Sequence, residues 1–150
     1  FVSGGVIRGI LVGALVMIVS LFFTGLTLAI HNLAVIFAFG ILTSLVFSLA
    51  GLVNGIYAKS IDGINIVPTF ILTPLVYLGG VFYSVHSLPQ FAQYVTYVNP
   101  IFYLINGFRY GFLGITDVSL VISVSLLFVM VAVLVGINWY LIRTGLGLRQ

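Results

Sequence analysis

Four stretches of this chain, 9–30, 33–58, 63–85 and 118–142, contain no Asp, Glu, Lys or Arg at all. About 20 apolar residues at roughly 1.5 Å each cross the ~30 Å hydrocarbon core of a bilayer, so each run is long enough to span a membrane. Lipid offers no hydrogen bonds to the backbone, and an isolated spanning segment must therefore pair its own N–H and C=O groups as a helix. A transmembrane barrel would show short apolar and polar alternation, whereas these runs are continuous. The expected fold is an all-α, polytopic transmembrane helical bundle. Its four spans are expected at approximately 6–30, 33–57, 64–82 and 118–142, with an external re-entrant helical hairpin at approximately 83–115.

Composition agrees. Only 5% of the 150 residues are charged and 62% are hydrophobic, against about 25% charged in ordinary soluble domains. A soluble fold of this size could not cover its surface with five basic and two acidic side chains. A net charge of +3, scattered along the chain, is no footprint for nucleic acid. Without cysteine there is neither a disulfide framework nor a thiolate metal site. The chain opens FVSGG without an initiator methionine, which suggests a piece of a longer protein. Its first run is too long for a secretory signal and lacks a small-x-small cleavage site before His31.

Threading the runs alternately puts Arg8, Lys59 and the Arg143/Arg149 tail on one side, and His31, Asn32 and residues 80–117 on the other. The side richer in Lys and Arg is expected to be cytoplasmic, which places the C-terminus there. Arg8 and the 57–63 loop, with Lys59 and Asp62, form the expected cytoplasmic face. His31-Asn32 is then a tight external turn.

Residues 79–117 are too polar and broken for a plain span, and too aromatic for a free loop. Two short helices are expected. The first starts near Ser87, as a cap, with Pro89 in its first turn; the second starts at Asn99-Pro100, an N-cap followed by proline at the first helical position. Phe91, Val95 and Val98 share a face of the first, and Ile101, Leu104, Ile105, Phe108 and Phe112 follow the helical period on the second. Tyr103, Asn106, Arg109 and Tyr110 occupy its other face. The aromatic residues between Phe82 and Tyr103 match the interfacial belt, so the hairpin is expected to dip into the outer leaflet.

Gly5, Gly9 and Gly13 form a ladder of small residues on the first span, and Gly40/Ser44/Ser48 and Gly51/Gly55 repeat it on the second. Missing side chains let backbones approach where lipid removes the hydrophobic drive; such ladders serve intramolecular packing or a subunit interface. Pro68 and Pro74 interrupt the third span, with a kink expected at Pro74. That kink either lines a pathway or turns the chain into the hairpin. Arg109, the basic residue on the external side, has Asp117 as its available partner, and a salt bridge fixing hairpin to span is preferred over a substrate contact. Asp117 is also a candidate N-cap for the last span. Asn54 is polar within the second span, placed either to hydrogen-bond across helices or to face the path. His31 and His86 lack companions for a metal. No nucleophile set, carboxylate pair or phosphate-binding loop is present, so the chain is not expected to be an enzyme.

The stretch TPLVYLGGVFYSVHSLPQFAQYVTYVNPIFYLINGFRYGFLG (73–114) resembles the signature of ABC-2 type permeases, and is most similar to the YadH-like inner-membrane permeases of bacteria. The likeness rests on Pro74-Leu75, Gly79-Gly80-Val81-Phe82, Leu88-Pro89, Asn99-Pro100 and the spacing from there to Arg109 and Gly114. It implies the carboxyl-terminal portion of a six-span subunit, residues 1–150 being spans three to six. It further implies a second permease subunit in the membrane and a separate cassette ATPase that carries the ATP and Mg; no cofactor belongs to this chain. Polysaccharides, lipid-linked sugars and hydrophobic drugs are cargo of such proteins. The expected function is export by alternating access, with Asn54, Pro74, Tyr103, Asn106 and Arg109 at the path or its external gate. The rivals are a secondary carrier, which predicts an ionisable residue at mid-membrane, and a non-transporting assembly protein.

Overall fold

The computed structural model describes residues 1–23, 30–58 and 60–145, and the side chains of Ile61 and Asp62 are left aside. Lys59 and Arg149, and positions 24–29 of the expected first span, lie outside the described residues. The described residues form helices and turns: α1 (Val2–Phe23), α2 (Leu33–Tyr57), α3 (Ile61–Ile66), a π-helical turn (Val67–Leu72), α4 (Thr73–Tyr77), a 3-10 turn (Val85–Ser87), α5 (Gln90–Val98), α6 (Pro100–Leu113) and α7 (Leu120–Thr144). Among the described residues, α1, α2 and α7 are long and apolar enough to cross a membrane. The run expected as a third span is instead the jointed rod α3–π turn–α4.

Local chemistry sets most boundaries. Asn32 caps α2, its Oδ1 accepting from the Val35 N–H at 3.2 Å. Asn99 caps α6 in the same way, accepting from the Ile101 N–H at 3.0 Å, and Pro100 follows at the first helical position, as its sequence signal predicts. Gly114 ends α6 at φ 71°, a left-handed conformation that costs glycine little. Two caps differ from expectation. Pro89 stands at the start of α5, and the Ser87 hydroxyl donates to the Ser84 carbonyl at 2.6 Å rather than capping the helix. Ser119, not Asp117, occupies the N-cap position of α7.

The kink expected at Pro74 is spread over the six residues before Thr73. The backbone stays helical through Val67 and Thr73, but the Thr73 N–H reaches back five residues to the Pro68 carbonyl. Prolines at 68 and 74 remove two donors within two turns, and a widened π turn is how the chain re-pairs what is left.

Packing centres on α2. Ile36, Phe39, Leu42, Val46 and Leu49 are buried at helical spacing along one stripe. α1 lies antiparallel on α2 through Gly5 against Ser48 and Gly9 against Ser44, where a Cβ on either glycine would collide with the serine hydroxyl. The first half of the glycine ladder thus packs within the chain. Gly13, Gly40, Gly51 and Gly55 meet nothing within 4 Å. The same register sets Arg8, one residue from Gly9, opposite the middle of α2 rather than at its end, and it is exposed.

α6 packs between α2 and α7. The Phe39 ring lies where a Cβ of Gly107 would stand, and Ile36 does the same at Gly111. Phe39, Leu42, Leu104 and Leu127 form the main apolar cluster; Val85, Phe102 and Tyr103 form a second. The 30–32 turn closes this end of the bundle. The N–H groups of His31 and Asn32 donate to the Gly111 carbonyl at 3.0 and 2.8 Å, satisfying an orphan at the end of α6. The helix expected as half of a peripheral hairpin is therefore the most enclosed element in the molecule. α5 differs again: Phe91, Val95 and Val98 share a face, and that face is exposed, while Thr96 is the buried residue.

Overpacking a filled site costs about 1–3 kcal/mol. Gly107→Val should lower the stability of the full-length protein in detergent by at least that much, read as its thermal unfolding midpoint. Gly136→Ala, with nothing within 4 Å, should leave the midpoint unchanged or raise it.

Candidate functional site

Three elements meet at the end of the bundle that carries the 30–32 turn: the 79–87 turn, the third turn of α6 and the 114–119 connection into α7. Each brings polar groups that hydrocarbon cannot satisfy. Gly80 sits at φ 80°, which directs the turn back over α6. Arg109 projects from α6 into that turn. Its guanidinium donates to Asp117 Oδ2 at 2.6 Å, to the Tyr83 carbonyl at 3.0 Å, and to the Gly80 carbonyl. The pair proposed from sequence is thus brought together, with side chains 16% and 4% exposed for Arg109 and Asp117.

Asp117 holds more than the arginine. Its Oδ1 accepts from the Ser84 hydroxyl at 2.8 Å, and its Oδ2 accepts from the Val85 N–H at 3.2 Å, the first residue of the 3-10 turn. The carboxylate therefore caps that turn instead of α7. Burial alone would raise the Asp117 carboxyl. The Ser84 hydroxyl, the Val85 N–H and the charges of Arg109 and His86 outweigh it, and hold the group below the ordinary aspartate value of 3.8.

Asn106, one turn before Arg109, is 1% exposed. Its Oδ1 accepts from the Asp117 N–H at 2.9 Å, and its Nδ2 donates to the Val118 carbonyl at 2.7 Å and to Ser123 Oγ at 3.0 Å. One amide thereby ties α6 to the start of α7. The Tyr103 hydroxyl donates to the Tyr97 carbonyl at 2.8 Å, closing α6 onto α5. Asn99 Nδ2 donates to the Leu75 carbonyl at 2.6 Å, closing α6 onto α4.

Tyr103, Asn106 and Arg109 are expected from the sequence at the external mouth of the path, with a salt bridge preferred over a substrate contact for Arg109. The structure turns all three inward and bonds them to protein. The reason is geometric: α6 packs with both faces covered, so its polar side lies against backbone that needs partners. Pro74 is exposed on the jointed rod, and Asn54 Nδ2 donates to the Ile64 carbonyl at 2.8 Å, so neither is joined to the cluster.

Asn138 was not singled out from sequence. It is 4% exposed in α7 and donates to the Leu49 carbonyl of α2 at 3.1 Å and to its own Leu134 carbonyl at 2.8 Å. A lone amide in the charge-free run 118–142 was the available signal, the same one that picked out Asn54. Among the described residues, no group of three or more His, Cys, Asp or Glu is placed to hold a metal ion.

Removing one partner of a buried charge pair costs about 3 kcal/mol. Arg109→Ala should therefore lower the stability of the full-length protein by that order, read by unfolding in detergent. The double reversal Arg109→Asp/Asp117→Arg should not restore it, because a guanidinium at 117 cannot accept from Ser84 and Val85. A depressed folded pKa gives stability that is complete above about 3.8 and is lost as pH falls through the lower folded value. The unfolding midpoint of the wild type should drop on acidification below pH ~4. Asp117→Asn should start lower at pH 7 and show a flatter acid limb.

The profile of the ABC-2 type transporter family matches residues 1–113. The inner membrane transport permease YadH of Escherichia coli strain K12 is 52% identical over 150 residues, covering all of this chain and 58% of that protein. YadH of Shigella flexneri matches with the same identity and coverage. The chain spans 58% of the length of these curated relatives. The expected carboxyl-terminal position within a longer permease gains no support from these coverages. No solved structure matches. Two thirds of the chain and more lie within the family profile, the whole chain aligns with these relatives at 52% identity, and the helical architecture agrees. The chain belongs to the ABC-2 type transporter family.

Proposed function

We propose that this chain is a membrane-spanning part of the permease subunit of an ATP-binding cassette exporter in the bacterial inner membrane. In this reading it moves a lipid-linked, polysaccharide or hydrophobic drug-like substrate out of the cytoplasm by alternating access. ATP and Mg are handled by a separate cassette ATPase, and a second permease subunit completes the path. The observation that carries the reading is the family membership, supported by 52% identity to a transport permease over the whole chain.

Four crossings fit the geometry when the jointed rod 61–77 is taken as the third. α2 and α7 run in the same direction, since Asn138 pairs with Leu49 near their ends and Leu127 with Phe39 nearer their starts. Two parallel helices need an odd number of crossings between them, and the one returning rod supplies it, with the hairpin staying on the far side. Arg143, in the last turn of α7, then shares a side with the end of α2, and the bias of basic residues in the sequence supports a cytoplasmic assignment for that side and the C-terminus. Arg8, opposite the middle of α2, lies away from that interface.

In this orientation the Arg109–Asp117–Asn106 cluster lies at the outer end. Its role is to hold the 79–113 hairpin against α2 and α7 as an external gate, and cargo passes beside the jointed rod rather than across the arginine. The exposed Phe82, Phe91, Tyr94 and Val98 then face headgroups and acyl chains, where amphipathic rings are favoured.

Reconstitution tests this directly. The full-length permease in liposomes with its co-encoded cassette ATPase should stimulate ATP hydrolysis several-fold over the ATPase alone. Failure of every co-encoded ATPase to respond would defeat the exporter reading.

A further inference from the structure

The jointed rod has few contacts with the bundle; its packing partner among the long elements is α6, through α4. Two asparagine side chains attach it, and each reaches a carbonyl whose ordinary α-helical donor is missing or diverted. In a continuing α-helix the Ile64 carbonyl would accept from the N–H of residue 68, which is Pro68 and has none. Asn54 Nδ2 supplies that donor from α2, at 2.8 Å. At the other end the Leu75 carbonyl would accept from the Gly79 N–H, which has turned to the Val76 carbonyl at 3.1 Å. Asn99 Nδ2 supplies that donor from the start of α6, at 2.6 Å.

Between the two attachments lies the π turn Val67–Leu72. Thr73 bonds the Pro68 carbonyl with its N–H and again with Oγ1, at 3.1 Å. A carbonyl left unpaired in lipid is costly, so both amides are held in place by the environment as well as by packing. π turns and proline pairs are also where helices bend.

We propose that Asn54 is a positioning residue: it pins the broken span to α2 by supplying the hydrogen bond that Pro68 removes, while Asn99 pins the other end, so that bending is confined to 67–72. This gives Asn54 a partner in the backbone rather than in the cargo. It rests on the permease reading only in taking this span as the moving one; the attachment itself does not.

The test uses the full-length permease in lipid nanodiscs and reads amide hydrogen exchange over 61–66, without ATPase or cargo. Asn54→Leu keeps the bulk and removes the donor; exchange should rise about tenfold, the order expected when a shielded carbonyl loses its partner. Adding Pro68→Ala supplies an N–H to the same carbonyl and should return exchange to within twofold of the wild type. Unchanged exchange in Asn54→Leu would overturn the proposal. So would faster exchange that Pro68→Ala does not reverse, which is the result expected if Asn54 acts through any other contact. Should Asn54→Leu fail to accumulate, recovery of folded protein in the double variant supports the proposal, and no recovery overturns it. Because no ATPase is present, failure here and failure of the exporter reading are distinguishable.

Discussion

Everything at one end of this bundle converges on a carboxylate that would be expensive to leave unpaired. Asp117 accepts from Arg109, Ser84 and Val85, and its own N–H donates to Asn106. Those four groups come from α6 and from the turn that follows the jointed rod. A single buried anion thus fixes how the hairpin, the rod and the last long helix meet. Charges near lipid are tolerated when each is paired and its remaining hydrogen-bonding capacity is engaged. Here the pair has become a corner joint rather than a binding site.

The second constraint is the backbone. Prolines at 68 and 74 break the hydrogen-bond ladder of a segment that lies at membrane depth in the proposed topology. Water cannot repair such a break inside lipid, so protein must. The repair has two parts. A π turn re-pairs donors and acceptors within the rod, and the amides of Asn54 and Asn99 cover carbonyls at its two ends. The outcome is a segment that is joined at both ends and wider in the middle.

Much of this was legible in the sequence, and the parts that were not have a common cause. Charge-free runs and cap signals predicted α2, α6 and α7 closely, because those depend on neighbours within four residues. Arg109 and Asp117 were paired correctly on the ground that a charge near lipid needs a partner. The orientation of α6 was missed. Its polar face, Tyr103, Asn106 and Arg109, was expected at the path or its external gate, since helical periodicity separates two faces without saying that both will be covered. That side is covered by the Gly80 and Tyr83 carbonyls and by Asp117, Val118 and Ser123, which periodicity along α6 cannot foresee. The cap at Ser87 failed because α5 starts only at Gln90, and the Ser87 hydroxyl donates instead to the Ser84 carbonyl.

Asparagine carries the polar connections of this fold, and physical chemistry explains the choice. With five basic and two acidic residues in all, the chain cannot join its helices by ion pairs, and each buried charge would need a mate. An amide is neutral, and it costs far less to bury than a charge. It also donates and accepts from one side chain, so it can serve a freed carbonyl or a freed N–H without a partner side chain. Asn32 accepts from the first turn of α2; Asn99 accepts from α6 while donating to the rod; Asn106 accepts from 117 while donating to 118. Asn138 donates across to α2 and leaves its Oδ1 without a partner in the structure. Each of these bonds reaches main chain rather than side chain. Apolar residues around them can therefore vary in size without undoing the joints, provided the backbone they hold keeps its course. Substituting leucine at 54 or 138 would keep the bulk and abolish the donor, and the joint with it.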